Sequence, residues 1–139
     1  MRVFLDSNVL ISGIYSKGGP PAQIVDLHST NELKIVICQL VLDEVVRTLL
    51  IKKPDNLPVL YKFLTNSPPE IVINPPVQAI KPYERYLSFG DATILAAAVQ
   101  AKAGYLVTGD KHFHADNTLP EVAGIKIVTP AQFIRSLKQ

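Results

Sequence analysis

Val3-Phe4-Leu5-Asp6 near the start of the chain and Tyr105-Leu106-Val107-Thr108-Gly109-Asp110 late in it share one form. Each is a short, unbroken apolar run that leads into an acid. With no polar alternation, such a run reads as a strand buried on both faces. Lys34–Cys38 (Lys-Ile-Val-Ile-Cys), Ile71-Val72-Ile73 and Ile125–Val128 have the same character and are rich in β-branched residues.

Between these runs the apolar spacing turns helical. Pro20 and Pro21 suit a helix first turn, and Ile24, Val25 and Leu27 follow it. From Gln39 to Lys53, residues Leu42, Val45, Val46, Leu49 and Leu50 form one stripe, which Pro54 ends. Leu57–Leu64 carries a shorter helix, closed by Pro68-Pro69. A polar, proline-containing connection then reaches Phe89. Asp91 opens a helix over Ala92–Ala103, with Gly104 as its expected C′ residue. Thr129 caps a last helix that begins at Pro130. Buried strands alternating with helices predict an α/β fold with a parallel sheet covered on both faces and right-handed crossovers. In such sheets ligands bind beyond the carboxyl ends of the strands.

The 139 residues fit a single domain, 1–139, with a full core. Apolar residues at 47% and charged residues at 19% exclude a disordered chain. One cysteine excludes a disulfide framework and a cysteine-based zinc site. A net charge of +2 excludes a strongly basic arm or an acidic tail. No apolar run approaches the ~20 residues of a membrane span. Asp6 interrupts the opening apolar run, so it does not read as a signal peptide. The expectation is a cytoplasmic protein with no membrane partner.

The acids carry the chemistry. Asp6 and Asp110 follow strands, Asp91 lies at a helix start, and Glu44 lies within the helix after the second strand. Taken singly, each has a plain reading: a turn or N-cap for the aspartates, a solvated helix position for Glu44. As a set at one sheet edge, carboxylates repel one another unless a cation sits among them, and hard oxygen ligands suit Mg²⁺ or Mn²⁺. Ser7, Asn8 and Thr108 flank the same edge, and Asn8 either donates to a carboxylate or turns the chain. Lys111 and Lys17 are candidate phosphate contacts; Arg47, Lys52 and Lys53 read first as solvated surface. His112 and His114 beside Asp116 read first as a solvated loop and second as a transition-metal site, His28 as structural, and Cys38 as a small buried hydrophobe. Tyr83, Tyr86 and Phe89 read as core or partner contacts before base-stacking groups.

The order Asp-Ser-Asn after an opening strand, Leu-x-Glu in a helix, Gly-Asp-Ala-x-Ile-Leu-Ala-x-Ala, then Tyr-Leu-Val-Thr-Gly-Asp-Lys-x-Phe resembles the PIN-domain nucleases. Within them it is most similar to the VapC-like toxins of toxin–antitoxin pairs. The resemblance runs from Arg2 to Phe113, and the closing strand and helix match in kind. It implies a three-layer α/β/α fold and an endoribonuclease dependent on Mg²⁺ or Mn²⁺, leaving a 5′-phosphate and a 3′-hydroxyl. The family's acids fall on Asp6, Glu44, Asp91 and Asp110, and its polar residues on Asn8 and Thr108. Asp43 is a rival to Glu44, which the family pattern favours. A small antitoxin protein and a homodimer are also implied. The alternatives are a non-catalytic module of this fold that binds RNA or protein, and a phosphoryl-handling regulatory domain. The latter needs an aspartate ending a middle strand, whereas Asn74 follows Ile71-Val72-Ile73.

Overall fold

The computed structural model describes residues 1–139. Five strands run in chain order: β1 (Arg2–Leu5), β2 (Lys34–Cys38), β3 (Glu70–Val72), β4 (Tyr105–Val107) and β5 (Lys126–Val128). Nine helices join and follow them: α1 (Ser7–Tyr15), α2 (Pro20–Ser29), α3 (Gln39–Lys52), α4 (Leu57–Asn66), α5 (Val77–Ile80), α6 (Phe89–Gln100), α7 (Lys111–His114), α8 (Leu119–Ala123) and α9 (Pro130–Leu137). Every strand pair is parallel, and the sheet order is β3-β2-β1-β4-β5. The chain therefore winds outward from β1 on one side, then returns to the other side at β4. The switch between β1 and β4 opens a crevice at their carboxyl ends.

Val3, Phe4 and Leu5 have no exposure at all, as expected for a central strand covered on both faces. One layer holds α1, α2, α3, α4 and α9, which pack on one another. The connection from β3 to β4 carries α5 and α6 across the other face, where α6 touches both β2 and β4. Residues Ala92 to Ala98 of α6 are buried all round, the pattern of a helix enclosed by its neighbours. No helix is long and apolar enough to cross a membrane.

Three local outcomes differ from the sequence expectations. The chain enters α1 directly after β1, with Asp6 as N-cap, so Asn8 lies in a helix rather than a loop turn. The helix α6 starts at Phe89 with Ser88 as its cap, not at Asp91. It ends before Gly104: Lys102 takes the left-handed conformation (φ 56°), Lys102 N–H donates to Val99 O and Ala103 N–H to Ala98 O. These two bonds form a Schellman motif on a lysine in place of the usual glycine.

At the amino end of the sheet, Arg2 acts as a staple. Its Nε and Nη2 donate to Ala101 O at 3.0 and 2.7 Å, capping the end of α6. The same guanidinium forks onto the Glu70 carboxylate, tying β1 to β3 across β2. His28 is structural: its Nδ1 accepts from Ile35 N–H at 3.0 Å and its Nε2 faces Ser67 O at 2.9 Å.

Candidate active site

The site begins with the strand ladder. Asp6 N–H donates to Val107 O at 3.0 Å, extending the β1–β4 pairing by one residue. That bond sets Asp6 beside Thr108 at the switch point. Thr108, fully buried, donates its hydroxyl to Asp6 Oδ2 at 2.7 Å. The same hydroxyl oxygen accepts from Asp110 N–H at 3.1 Å. One threonine thus fixes the carboxylate after β1 and the backbone of the acid after β4. Ser7 N–H donates to Asp6 Oδ1 at 2.8 Å, and Asn8 Nδ2 lies 3.3 Å from Oδ2. Asn8 Oδ1 also meets Gly109 N–H at 3.4 Å, bridging α1 to the turn after β4.

Asp6 and Asp110 are both helix N-caps, yet capping does not exhaust them. Asp110 Oδ1 accepts from His112 N–H at 2.9 Å at the start of α7. Asp91 is not a cap; Ser88 Oγ accepts from its N–H at 3.3 Å, and its carboxylate projects from the first turn of α6. Glu44 is half-buried on α3, while its neighbour Asp43 is exposed and bonded to Gln39 Nε2 at 2.9 Å.

Burial and like charge both act on these acids. Burial pushes the Asp6 carboxyl up, the Thr108 and Ser7 hydrogen bonds oppose this, and the charges of Asp91 and Asp110 push it further up. Burial also raises Asp91, with Asp110 adding to the rise and Ser88 and His112 opposing it. Glu44 is raised by burial and then by Asp6 and Asp91, with Arg47 opposing. Mutual repulsion among carboxylates is the condition a divalent cation relieves.

The tightest grouping is Asp91, Asp110 and His112, whose ligand atoms lie within 4.8 Å of one another. His112 Nδ1 stands 3.1 Å from Asp110 Oδ1 and 3.9 Å from Asp91 Oδ2. An octahedral ion with bonds of ~2.1 Å holds adjacent ligands roughly 3 Å apart and opposite ligands roughly 4.2 Å apart. The 3.1 Å spacing equals that of two adjacent positions, and the 3.9 Å spacing falls between adjacent and opposite ones. His112, expected in a solvated loop, lies instead on α7 beside two of the acids; the aspartate two residues before it, acting as an N-cap, was the signal. His114 is also on α7, its Nε2 facing Thr108 O at 2.9 Å.

Lys111 is exposed directly after Asp110. Lys17 follows the far end of α1, whose nine residues span about 13 Å. Lys53 lies over the Tyr15 ring, at 4.8 Å, beyond the distal end of α3. A surface hollow of about 560 Å³ sits at the opposite, amino end of the sheet, where Met1, Leu27, Leu33 and Ile134 help line it. It contains none of the four acids.

The family model of the PIN domain matches residues 2–112. The chain belongs to the PIN domain family. The matched span contains all four acids. Among solved structures, VapBC2 from Rickettsia felis bound to a promoter DNA fragment superposes with a TM-score of 0.65 at 19% identity, covering 93% of this chain and 98% of that one. DNA-bound VapBC from Salmonella typhimurium gives 0.63 at 20% identity, covering 94% and 98%. FitAcB from Neisseria gonorrhoeae gives 0.62 at 18%, covering 92% and 97%. At these identities the likeness is one of fold, and this PIN domain shares its three-layer plan with all three. No curated protein is significantly similar to it in sequence.

Proposed function

We propose that this PIN domain is a nuclease dependent on Mg²⁺ or Mn²⁺, that it hydrolyses RNA internally, and that it serves as the toxin of a toxin–antitoxin pair. The observation that carries the reading is the grouping of Asp91, Asp110 and His112 within 4.8 Å, joined to Asp6 through the Thr108 hydroxyl. No lysine or arginine forms an ion pair with Asp6, Glu44, Asp91 or Asp110. An acid set left this way repels an RNA phosphate until a cation is held among it.

In this reading Asp6, Asp91, Asp110 and Glu44 hold the metal, directly or through water. The bound ion supplies a water of lowered pKa and offsets charge developing on the phosphate. The chain's own residues do the positioning. Thr108, Ser7 and Asn8 lock the Asp6 rotamer, so its carboxylate needs little reorganisation. Glu44, at the margin of the set, orients the attacking water. Attack at phosphorus breaks the bond to the 3′ oxygen, leaving a 5′-phosphate and a 3′-hydroxyl. Lys111 contacts a neighbouring phosphate, and Lys17 one further along the strand.

Residues 1–139 act as one domain, in the cytoplasm and as a homodimer. A small antitoxin covers the acidic edge with a basic side chain that takes the cation's place. The structural neighbours FitAcB and the two VapBC complexes share this fold, which supports a toxin–antitoxin setting.

The test is cleavage of a single-stranded RNA with Mn²⁺, with Mg²⁺, and with chelator, comparing the wild type with Asp6→Asn. The reading expects internal cleavage that the chelator and the substitution both abolish. Unchanged Mn²⁺-dependent cleavage by a folded Asp6→Asn protein rejects the assignment.

A further inference from the structure

Of the three histidines, His112 alone has its ring turned onto the acid set, and the family pattern of four acids gives it no part; the sequence reading paired it instead with His114 and Asp116. Its side chain is 79% exposed, so no packing forces it there. What holds it is local. Asp110 caps α7 by accepting from the His112 backbone N–H, which brings the imidazole back over the same carboxylate. The ring nitrogen then stands 3.1 Å from Asp110 Oδ1 and 3.9 Å from Asp91 Oδ2. The first spacing matches two adjacent positions around one octahedral ion, and the second lies between adjacent and opposite positions.

We infer that His112 Nδ1 is a nitrogen ligand to the divalent ion held by Asp91 and Asp110, and that it biases this site toward Mn²⁺ over Mg²⁺. The inference rests on the metal-dependent reading above and adds a ligand to it. Mg²⁺ favours oxygen donors and keeps its waters, so an imidazole gives it little. First-row transition ions accept imidazole readily, so the same nitrogen adds to their affinity. Being exposed, the ring loses little hydration on ligation. An ion bound by Nδ1 leaves Nε2–H directed to solvent or to a substrate phosphate.

The test reads the ligand itself, not cleavage. The full chain is loaded with Mn²⁺ and its electron spin echo modulation is recorded, while calorimetry gives Mn²⁺ and Mg²⁺ affinities. Three proteins are compared: wild type, His112→Gln and His114→Gln. The expected result is a ¹⁴N modulation in the wild type and in His114→Gln that is lost in His112→Gln. Mn²⁺ affinity falls roughly tenfold in His112→Gln while Mg²⁺ affinity changes less than about threefold. Mn²⁺ binding without ¹⁴N modulation in the wild type, or modulation that survives His112→Gln, overturns the inference and leaves the acid site standing. Failure of the wild type to bind Mn²⁺ at all overturns both.

Discussion

The two ends of β1 carry opposite charges that are treated in opposite ways. At the amino end, Arg2 is matched by acceptors: Glu70 takes Nη1 and Nη2, and Ala101 O takes Nε and Nη2. At the carboxyl end, four residues on, Asp6 receives only neutral donors, and the charges around it are further acids. A matched charge is a structural device. A buried charge surrounded by like charges costs stability in the metal-free protein, and such sites mark function. The contrast argues that the amino end was shaped for folding and the carboxyl end for a cation.

The largest effect that sharpens this contrast is on activity. Asp91→Asn keeps the shape of the carboxyl end and removes one ligand. RNA cleavage with Mn²⁺ is expected to fall about a hundredfold or more, since an ion's charge stabilisation amounts to several kcal/mol. A gel assay under single-turnover conditions measures this, and near-normal cleavage breaks the functional half of the comparison.

Next in size is Arg2→Met. The Arg2–Glu70 pair is partly exposed, so by itself it contributes about 0–1 kcal/mol. The lost cap on Ala101 O adds about 1 kcal/mol. Urea unfolding is expected to show a loss of about 1–2 kcal/mol, with metal-dependent cleavage intact. A loss of cleavage in the folded variant contradicts the division of labour between the two ends.

The smallest effects concern pH, and their signs oppose. Arg2 holds the Glu70 carboxyl below its usual range, chiefly by hydrogen bonding. Its contribution is present above the unfolded value, about pH 4, and is lost as pH falls through the lowered folded value. Asp6, Glu44 and Asp91 are raised, chiefly by burial. Their contribution is full below the unfolded value and is lost as pH rises through the raised folded values. In metal-free buffer, Asp91→Asn is therefore expected to stabilise the protein slightly at neutral pH, by less than about 1 kcal/mol. It also flattens the decline above pH 4. A melting series across pH 3–8 in chelator tests this, and a destabilised Asp91→Asn at neutral pH argues against repulsion at the edge.

Much of this was readable in the chain. The inner strands β1, β2 and β4 announce themselves because they are largely buried on both faces and so do not alternate, whereas edge strand β3 has no buried residue; acids that end the inner runs lie at the carboxyl edge. What escaped reading depended on tertiary packing. The segment Ser7–Tyr15 holds β-branched residues, two serines and a glycine, so its helix propensity is weak. It is helical because Asp6 caps it and because it packs closely on α2. A Cβ at Gly13 would stand 2.7 Å from Val25 Cγ2 and 2.9 Å from Pro21 O, so only glycine allows this approach. Gly104 drew the C′ assignment by its residue type, while Lys102 has the conformation because its carbonyl partners lie there. The Asp6–Thr108 bond, spanning 102 positions, depends on β1 lying next to β4, and strand order is not a local property. The choice between Asp43 and Glu44 needed the helix orientation, since neither lies on the apolar stripe.

The central claim is that the carboxyl edge is completed by a divalent ion. Thermal unfolding at neutral pH, with and without saturating Mn²⁺, tests it most directly. Binding at a hundredfold above the dissociation constant stabilises by about 2.7 kcal/mol, several degrees in Tm for a chain of this size. The account predicts that rise in the wild type and its absence in Asp91→Asn. Equal melting temperatures for the wild type with and without Mn²⁺ would contradict it.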